Sequence, residues 1–292
     1  MSGPVLLTGA AGRIGTWLRG GLPERGWAVR CLDIVPVPDE RPGEEQIVGD
    51  VTDLAAMLDA TEGASAVVHM AGISGESTWP AISHANIEGT YCALEAARRS
   101  GVSRVVLASS NHATGYTPRP DGGLLREVDA PPRPDTYYGV AKVTMEALGS
   151  LYADRYGMDV VCLRIGTALP EPIAVRHLST WLSPDDTVAL VHAALSAPSP
   201  GFAVVWGTSA NTRGWWDLTS ARALGYEPTD DAEFYAEAVL EAHGEPDPTD
   251  PVLVRVGGEY TLPDFDAEHF EPGGARSGVP RADIAPGSGA DR

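Results

Sequence analysis

Six short apolar or β-branched runs punctuate the first part of the chain: 4–8 (PVLLT), 28–34 (AVRCLDI), 46–48 (QIV), 66–72 (AVVHMAG), 104–109 (RVVLAS) and 159–166 (DVVCLRIG). A strand with one wet face alternates apolar and polar residues. Runs this continuous suit strands covered on both faces, as in a parallel sheet. Helical periodicity fills the gaps near 13–22, 53–60, 83–100 and 137–156. Strands alternating with helices predict the α/β class, a doubly wound parallel sheet with helices on both faces.

Beyond residue 166 the pattern loosens. A helix is predicted near 186–197, a strand at 203–207, and helical segments near 216–224 and 232–242. The expected organisation is a nucleotide-binding core over 1–166, then a small C-terminal cap over 167–263 that completes the same domain. The last stretch, 264–292, is rich in Gly, Pro, Ala and Asp and is expected to be a flexible tail without a catalytic role. Trp206, Trp215 and Trp216 are expected to pack core and cap rather than to form a ligand platform.

Charge narrows the partners. The 292 residues include 40 acidic and 21 basic side chains, a formal net charge of −19. That field repels phosphate backbones and anionic lipid surfaces, so neither nucleic acid nor membrane is an expected partner. A negatively charged small molecule would need a local cation. Cys31, Cys92 and Cys162 lie in apolar runs, are odd in number and lack metal-like spacing. They read as buried free thiols, no metal is expected, and a reducing compartment follows. The N-terminus enters a strand at once and no apolar stretch is long enough to span a bilayer, so the cytoplasm is the expected location.

The first predicted turn reads TGAAGRIG, with Gly9, Gly12 and Gly15 between a strand and a helix. Chemistry at a pyrophosphate needs this spacing: a tight turn, a bare backbone against the phosphates, and close helix packing beside a helix N-terminus. Asp33 ends the second run, where an acid accepts hydrogen bonds from the adenosine ribose. Together these predict a Rossmann-type dinucleotide site. Asp33 would repel a 2′-phosphate and favours NAD over NADP, while Arg13 is read either as a pyrophosphate neighbour or as the residue that argues for NADP. Asp50 and Val51 follow the third run, where they either flank adenine or, for Asp50, cap the next helix.

YYGVAK (137–142) carries the candidate chemistry. Tyr138 and Lys142 are four residues apart and share one helix face. At a separation of about 5 Å and an effective dielectric of about 20, a lysine stabilises a phenolate by about 3 kcal/mol. That would bring the tyrosine from about 10 towards about 8, the working range of a general base. The strand end ASSNHATGY (108–116) places Ser110, Asn111 and His112 in succession, as a turn or as part of an active site.

The set TGAAGRIG, Asp33, HMAG, SS and YYGVAK resembles the extended short-chain dehydrogenases/reductases across residues 1 to about 166. With HMAGIS (69–74), RIGTALPEP (164–172), RHLSTWLSPDD (176–186) and VVWGTSANTRGWWD (204–217), the chain is similar over about 4–264 to the uronate dehydrogenase family. The resemblance implies NAD-dependent oxidation of a hexuronate at C1 to an aldarolactone. It implies catalytic roles for Tyr138 as base, Lys142 and Ser110. Cofactor contacts fall on Gly9, Gly12, Arg13, Ile14, Gly15, Asp33, Asp50, Val51, Met70, Ala71, Gly72, Ser109, Tyr138, Lys142 and Ile165. Sugar-acid contacts fall on Ser74, Ser110, Asn111, His112, Thr167 and Arg176. Thr167 stands where the family pattern has serine, keeping the hydroxyl and adding a methyl. Arg176 is read as the local cation for the carboxylate, or else as a surface arginine paired with Glu171. His112 is read as a ligand, or as a turn histidine bonded to backbone. A homo-oligomer fits the resemblance. Competing readings are a sugar-nucleotide epimerase or dehydratase of the same superfamily, and a cofactor-sensing regulator without catalysis.

Overall fold

A computed structural model describes residues 3–265, except 40, 42, 248 and 264, together with the backbone of 270–271 and 275–276. Seven parallel strands form one sheet in the order β3-β2-β1-β4-β5-β6-β9: β1 (Val5–Thr8), β2 (Val29–Asp33), β3 (Glu45–Val48), β4 (Ala66–His69), β5 (Arg104–Leu107), β6 (Asp159–Ile165) and β9 (Phe202–Gly207). Small paired strands β7 (Thr167–Ala168) and β8 (Trp181–Leu182) branch off after β6. The helices are α1 (Arg13–Glu24), α2 (Leu54–Thr61), α3 (Trp79–Ile82), α4 (Gly89–Arg99), α5 (Tyr137–Tyr156), α6 (His177–Thr180), α7 (Pro184–Ser196), α8 (Thr219–Ala223) and α9 (Ala236–His243). A π-helical turn, Ser83–Glu88, joins α3 to α4.

Successive strand residues feed opposite layers, which is why the runs are continuously apolar. Val5 and Leu7 join the layer containing Leu18, Leu22 and Leu190, on the α1 and α7 side. Leu6 faces the other layer, with Met57, Leu94 and Met145 from α2, α4 and α5. Chain order reverses between β1 and β4, and a crevice opens at the carboxyl ends of strands flanking such a switch. Thr8 pairs in register with Leu32 of β2 and His69 of β4, so the glycine turn, Asp33 and the loop from Met70 all leave the sheet at this place.

The predicted strands and helices are present with boundary shifts of a few residues. The third long helix is interrupted: Asn86, in the π-helical turn, accepts from Ile73 N at 2.8 Å and donates to Ile73 O at 2.9 Å, holding the loop after β4. A Cβ at Gly72, whose φ is +137°, would lie 3.0 Å from the Asn86 amide oxygen. The three cysteines are free and buried. Trp206, Trp215 and Trp216 are buried together with Leu125 and Val256, as packing residues. The tail expectation over 264–292 lies outside the described residues apart from Phe265, which stacks on Tyr260, and a two-residue antiparallel ladder between 270–271 and 275–276. Among the described residues no helix is long and apolar enough to cross a membrane, and no cluster of His, Cys, Asp or Glu has the arrangement of a metal site.

Candidate active site

The glycine turn is built for backbone contact. Gly9 has φ +70°, and a Cβ there would stand 2.7 Å from Ala71 N; one at Gly15 would stand 2.2 Å from Gly9 O. These two glycines let β1, β4 and α1 meet without side chains between them. A Cβ at Gly12 would meet only Gly9 O, at 3.2 Å, so this position opens outward. Gly12 starts α1 without a side-chain cap, leaving the first backbone donors of a twelve-residue helix for an anion. Asp33 accepts from Ala11 N at 2.9 Å and from Val35 N at 3.3 Å, which ties the end of β2 to the turn. The residues present fit a dinucleotide.

The remaining cofactor candidates divide. Ile14, Met70, Ala71 and Gly72 line the crevice mouth at the ends of β1 and β4. Val51 is buried against Gly89, at the start of α4. Asp50 does not cap α2: Asp53 does, through Ala55 N and Ala56 N, while Asp50 accepts from the backbone and hydroxyl of Thr52. Arg13 donates to Ala168 O at 3.2 Å and bridges the crevice to the strand after β6. The Ser109 hydroxyl corrects an expectation. It donates to Glu146 Oε1 at 2.6 Å in the core, so the hydroxyl is turned away from a cofactor contact. Glu146 also makes a bidentate pair with Arg164, both contacts at 2.9 Å, locking α5 onto β6 beneath the site. Ile165, at the end of β6, bridges Ser110 and aligns the two strand ends.

Tyr138 lies in the first turn of α5, 8% exposed, against Ile82 and Ala141. The Ser110 hydroxyl is close enough to the phenol to lower its pKa. Lys142 is buried, with Nζ 5.1 Å from the Tyr138 ring centre, and donates to Ala108 O at 2.6 Å. Sequence spacing thus brings Tyr138, Lys142 and Ser110 together as expected. The expected fall in the tyrosine pKa does not occur here. Burial pushes Tyr138 up to about 12, against a smaller lowering by the Ser110 hydroxyl. Burial also takes Lys142 down to about 8. Desolvation disfavours both charged forms and outweighs the attraction between them.

His112 is half-buried, its Nδ1 2.7 Å from Asp135 Oδ2. Its ring lies edge-on to Tyr138 at 5.7 Å and tilted against Tyr260 at 4.0 Å. The partner of His112 is therefore a carboxylate and not backbone. Asn111 lies beside Ser110 beyond the end of β5. It is 2% exposed, donates to Val256 O at 2.9 Å and accepts from Ser110 Oγ at 3.2 Å, which fixes the amide and leaves one N–H and one oxygen lone pair of it without a protein partner among the described residues. Thr167 Oγ1 lies 2.8 Å from Thr180 Oγ1 and receives Arg176 Nη1 at 3.4 Å. Arg176 Nη2 donates to Val256 O at 2.6 Å. Arg176 does not pair with Glu171 and has no carboxylate partner among the described residues. Burial is the largest influence on it, lowering its pKa. Ser74 is exposed in the loop after β4.

Three contributors escaped the sequence reading. Asp135 sits where a Cβ on Gly115, Gly139 or Gly257 would collide with it, the shortest approach being 1.8 Å, so three glycines make its niche. Glu76 is 2% exposed and accepts from Tyr138 N at 2.8 Å and Tyr137 N at 3.3 Å, capping α5 from 61 or more residues away. The segment 254–257 returns antiparallel to 115–119, through Arg119 N to Val254 O, Val256 N to Thr117 O and Gly257 N to Gly115 O. It delivers the Val256 carbonyl that Asn111 and Arg176 share, and Tyr260 beyond it. The Gly115 and Gly139 positions were visible within quoted motifs; their common neighbour was not.

Residues 5–172 match the NAD dependent epimerase/dehydratase family. Uronate dehydrogenase of Pseudomonas putida is 42% identical over 259 residues, spanning 88% of this chain and 95% of that protein. A solved uronate dehydrogenase from Agrobacterium tumefaciens, a tyrosine-to-alanine mutant complexed with NAD, superposes with a TM-score of 0.82 at 40% identity, over 89% of this chain and 97% of that one. Glucuronic acid dehydrogenase from Chromohalobacter salexigens superposes with a TM-score of 0.83 at 39% identity, over 89% and 97%. With its glycine turn, its Tyr138–Lys142–Ser110 group and this similarity along most of its length, the chain belongs to the NAD dependent epimerase/dehydratase family and, within it, to the uronate dehydrogenases.

Proposed function

We propose that the protein oxidises a hexuronate, D-galacturonate or D-glucuronate, at C1 to the aldarolactone with NAD. Arg176 carries this reading. The family chemistry asks only for a hydroxyl beside Tyr138, and what marks a uronate is its carboxylate. A desolvated guanidinium without a carboxylate partner suits that group, bidentately. It is linked to the Tyr138 site through the Val256 carbonyl, Asn111 and Ser110.

In this reading the glycine turn and the α1 N-terminus hold the pyrophosphate, and Asp33 takes the adenosine ribose. Bound NAD supplies the acceptor for the hydrogen and two electrons leaving C1. Tyr138 receives the proton of the C1 hydroxyl while Ser110 orients that oxygen. Lys142, held by Ala108 O, keeps positive charge beside the phenol. His112, Ser74 and Thr167 face the ring hydroxyls. Three buried free thiols support a reducing compartment, the cytoplasm, as the setting.

Recording NADH absorbance with galacturonate, glucuronate and UDP-glucose in parallel tests the substrate class. Uronate turnover is expected, with a lactone seen by NMR before the open diacid. Turnover of UDP-glucose alone, or a diacid without a lactone precursor, overturns the reading.

The cofactor preference follows from Asp33. Wild type is expected to favour NAD over NADP by at least roughly tenfold in kcat/KM, because a 2′-phosphate there meets like charge. Asp33→Ala should narrow that ratio even though it weakens both cofactors by freeing Ala11 N. An unchanged ratio removes Asp33 from the ribose.

Asp135 is a positioning residue for His112. Asp135→Asn is expected to lower kcat by about tenfold with little change in the KM for NAD, since an amide can donate to Nδ1 as well as accept from it and so no longer holds the proton there. It should also displace the pH profile of kcat. A loss confined to thermal stability would reduce Asp135 to packing.

A further inference from the structure

A second cavity, of about 320 Å³, lies beside the substrate cleft. Four arginines line it, Arg119, Arg176, Arg213 and Arg255, and among the described residues no acidic one does. Ser110, His112, Tyr138 and Thr167 are not among its lining residues, so Arg176 is the wall that cleft and cavity share. Of these four, only Arg213 has an ion pair among the described residues, with Glu233 at 2.7 Å. Arg119 lies over the Trp215 ring at 5.9 Å, and Arg255 lies over Tyr116 at 5.5 Å. In a chain of net charge −19, a concavity with three unpaired guanidiniums is the reverse of the average surface. Local clusters of this kind concentrate anions.

We infer that this cavity binds a small dicarboxylate, and that its occupant weakens the hold of Arg176 on a substrate carboxylate. The inference rests on the function proposed above, which brings such a ligand near. Hydrolysis of the aldarolactone adds water across its ring ester, cleaving the acyl C–O bond to leave a second carboxylate, a free hydroxyl and a released proton. The open-chain diacid thus carries one carboxylate for Arg119 and Arg255 and another for the outer side of Arg176. Trp215, Val175 and Leu253 offer its carbon chain an apolar wall. Two carboxylates flanking one guanidinium compete for it, so diacid binding and uronate binding oppose each other reciprocally.

Calorimetric titration of nucleotide-free protein with galactarate tests this, using wild type and the Arg119→Gln/Arg255→Gln double variant. Neither side chain hydrogen-bonds Ser110, His112, Tyr138 or Thr167: Arg119 lies over Trp215, and Arg255 lies over Tyr116 and donates to Thr261 O. The double variant is expected to bind galactarate at least roughly tenfold more weakly, while its kcat/KM for galacturonate, measured without diacid, stays within about twofold of wild type. Inhibition of wild type should be partial, levelling off at saturating galactarate, and should weaken in parallel in the variant. Unchanged galactarate affinity in the variant, or complete and strictly competitive inhibition, places the diacid in the cleft and overturns the proposal. Inorganic phosphate binding as tightly through the same arginines overturns the dicarboxylate assignment. Should the double variant not fold, Arg119→Gln alone, at an exposed residue without an ion pair, is read in the same titration, with a loss of about threefold expected and no loss overturning the proposal. Absence of uronate turnover in wild type would overturn the proposed function, whereas this titration needs no turnover.

Discussion

Replacing Tyr138 by phenylalanine is expected to lower kcat for uronate oxidation by about 10³-fold or more, with NADH affinity nearly unchanged. The phenyl ring keeps the packing against Ile82 and Ala141, so the fold and the crevice do not need the hydroxyl. What is lost is the phenol beside Ser110 that takes the proton, and positioned proton transfer is worth about 10²–10⁴ in rate. Stopped-flow turnover alongside NADH fluorescence titration separates the two effects. Residual activity within about tenfold of wild type would assign the base elsewhere. The buried phenol also sets a direction with pH. With its pKa pushed up to about 12, Tyr138 is neutral at pH 7, and the phenolate fraction grows about tenfold per pH unit below that value. Hence kcat/KM for oxidation should rise from pH 6 to about 8 and flatten above it, where Lys142 loses the charge that supports the phenolate. A flat profile would mean that proton removal does not limit the rate.

Replacing Arg176 by alanine should lower kcat/KM for galacturonate by about tenfold to a hundredfold. A charge-assisted hydrogen bond in a desolvated site is worth about 1.5–3 kcal/mol, and misplacement of C1 adds to that loss. The substitution also frees Val256 O and Thr167 Oγ1, so a fall in activity alone is ambiguous. The ratio of galacturonate to galactose resolves it. A purely structural defect lowers both alike, whereas loss of a carboxylate partner narrows the gap. Arg176→Lys should fall between wild type and alanine, because an ammonium keeps the charge without the planar fork. An unchanged ratio in the alanine variant removes the carboxylate from this residue.

Much of this site was legible because its signals are local. A glycine turn between strand and helix, an acid at the next strand end, and a tyrosine four residues before a lysine each define backbone geometry within a few residues. The continuously apolar strands likewise declared a sheet buried on both faces. Charge balance alone called for a local cation, and Arg176 is desolvated without a carboxylate partner.

Other features were decided only when distant segments met. The orientation of the Asn111 amide was fixed by the chain 145 positions later, which placed Val256 O against it. Ser109 looked like part of the cofactor site until α5 brought Glu146 beneath it. Asp135 gained its role from three glycines at 115, 139 and 257, and Glu76 from the start of a helix far along the chain. The Tyr138 pKa moved opposite to its expected direction, because charge spacing can be read along a helix but desolvation cannot. Periodicity and motif spacing record what a residue needs from its near neighbours. Burial, and the backbone carbonyls that engage buried polar groups, depend on which surfaces close over them, and that was determined by the tertiary structure.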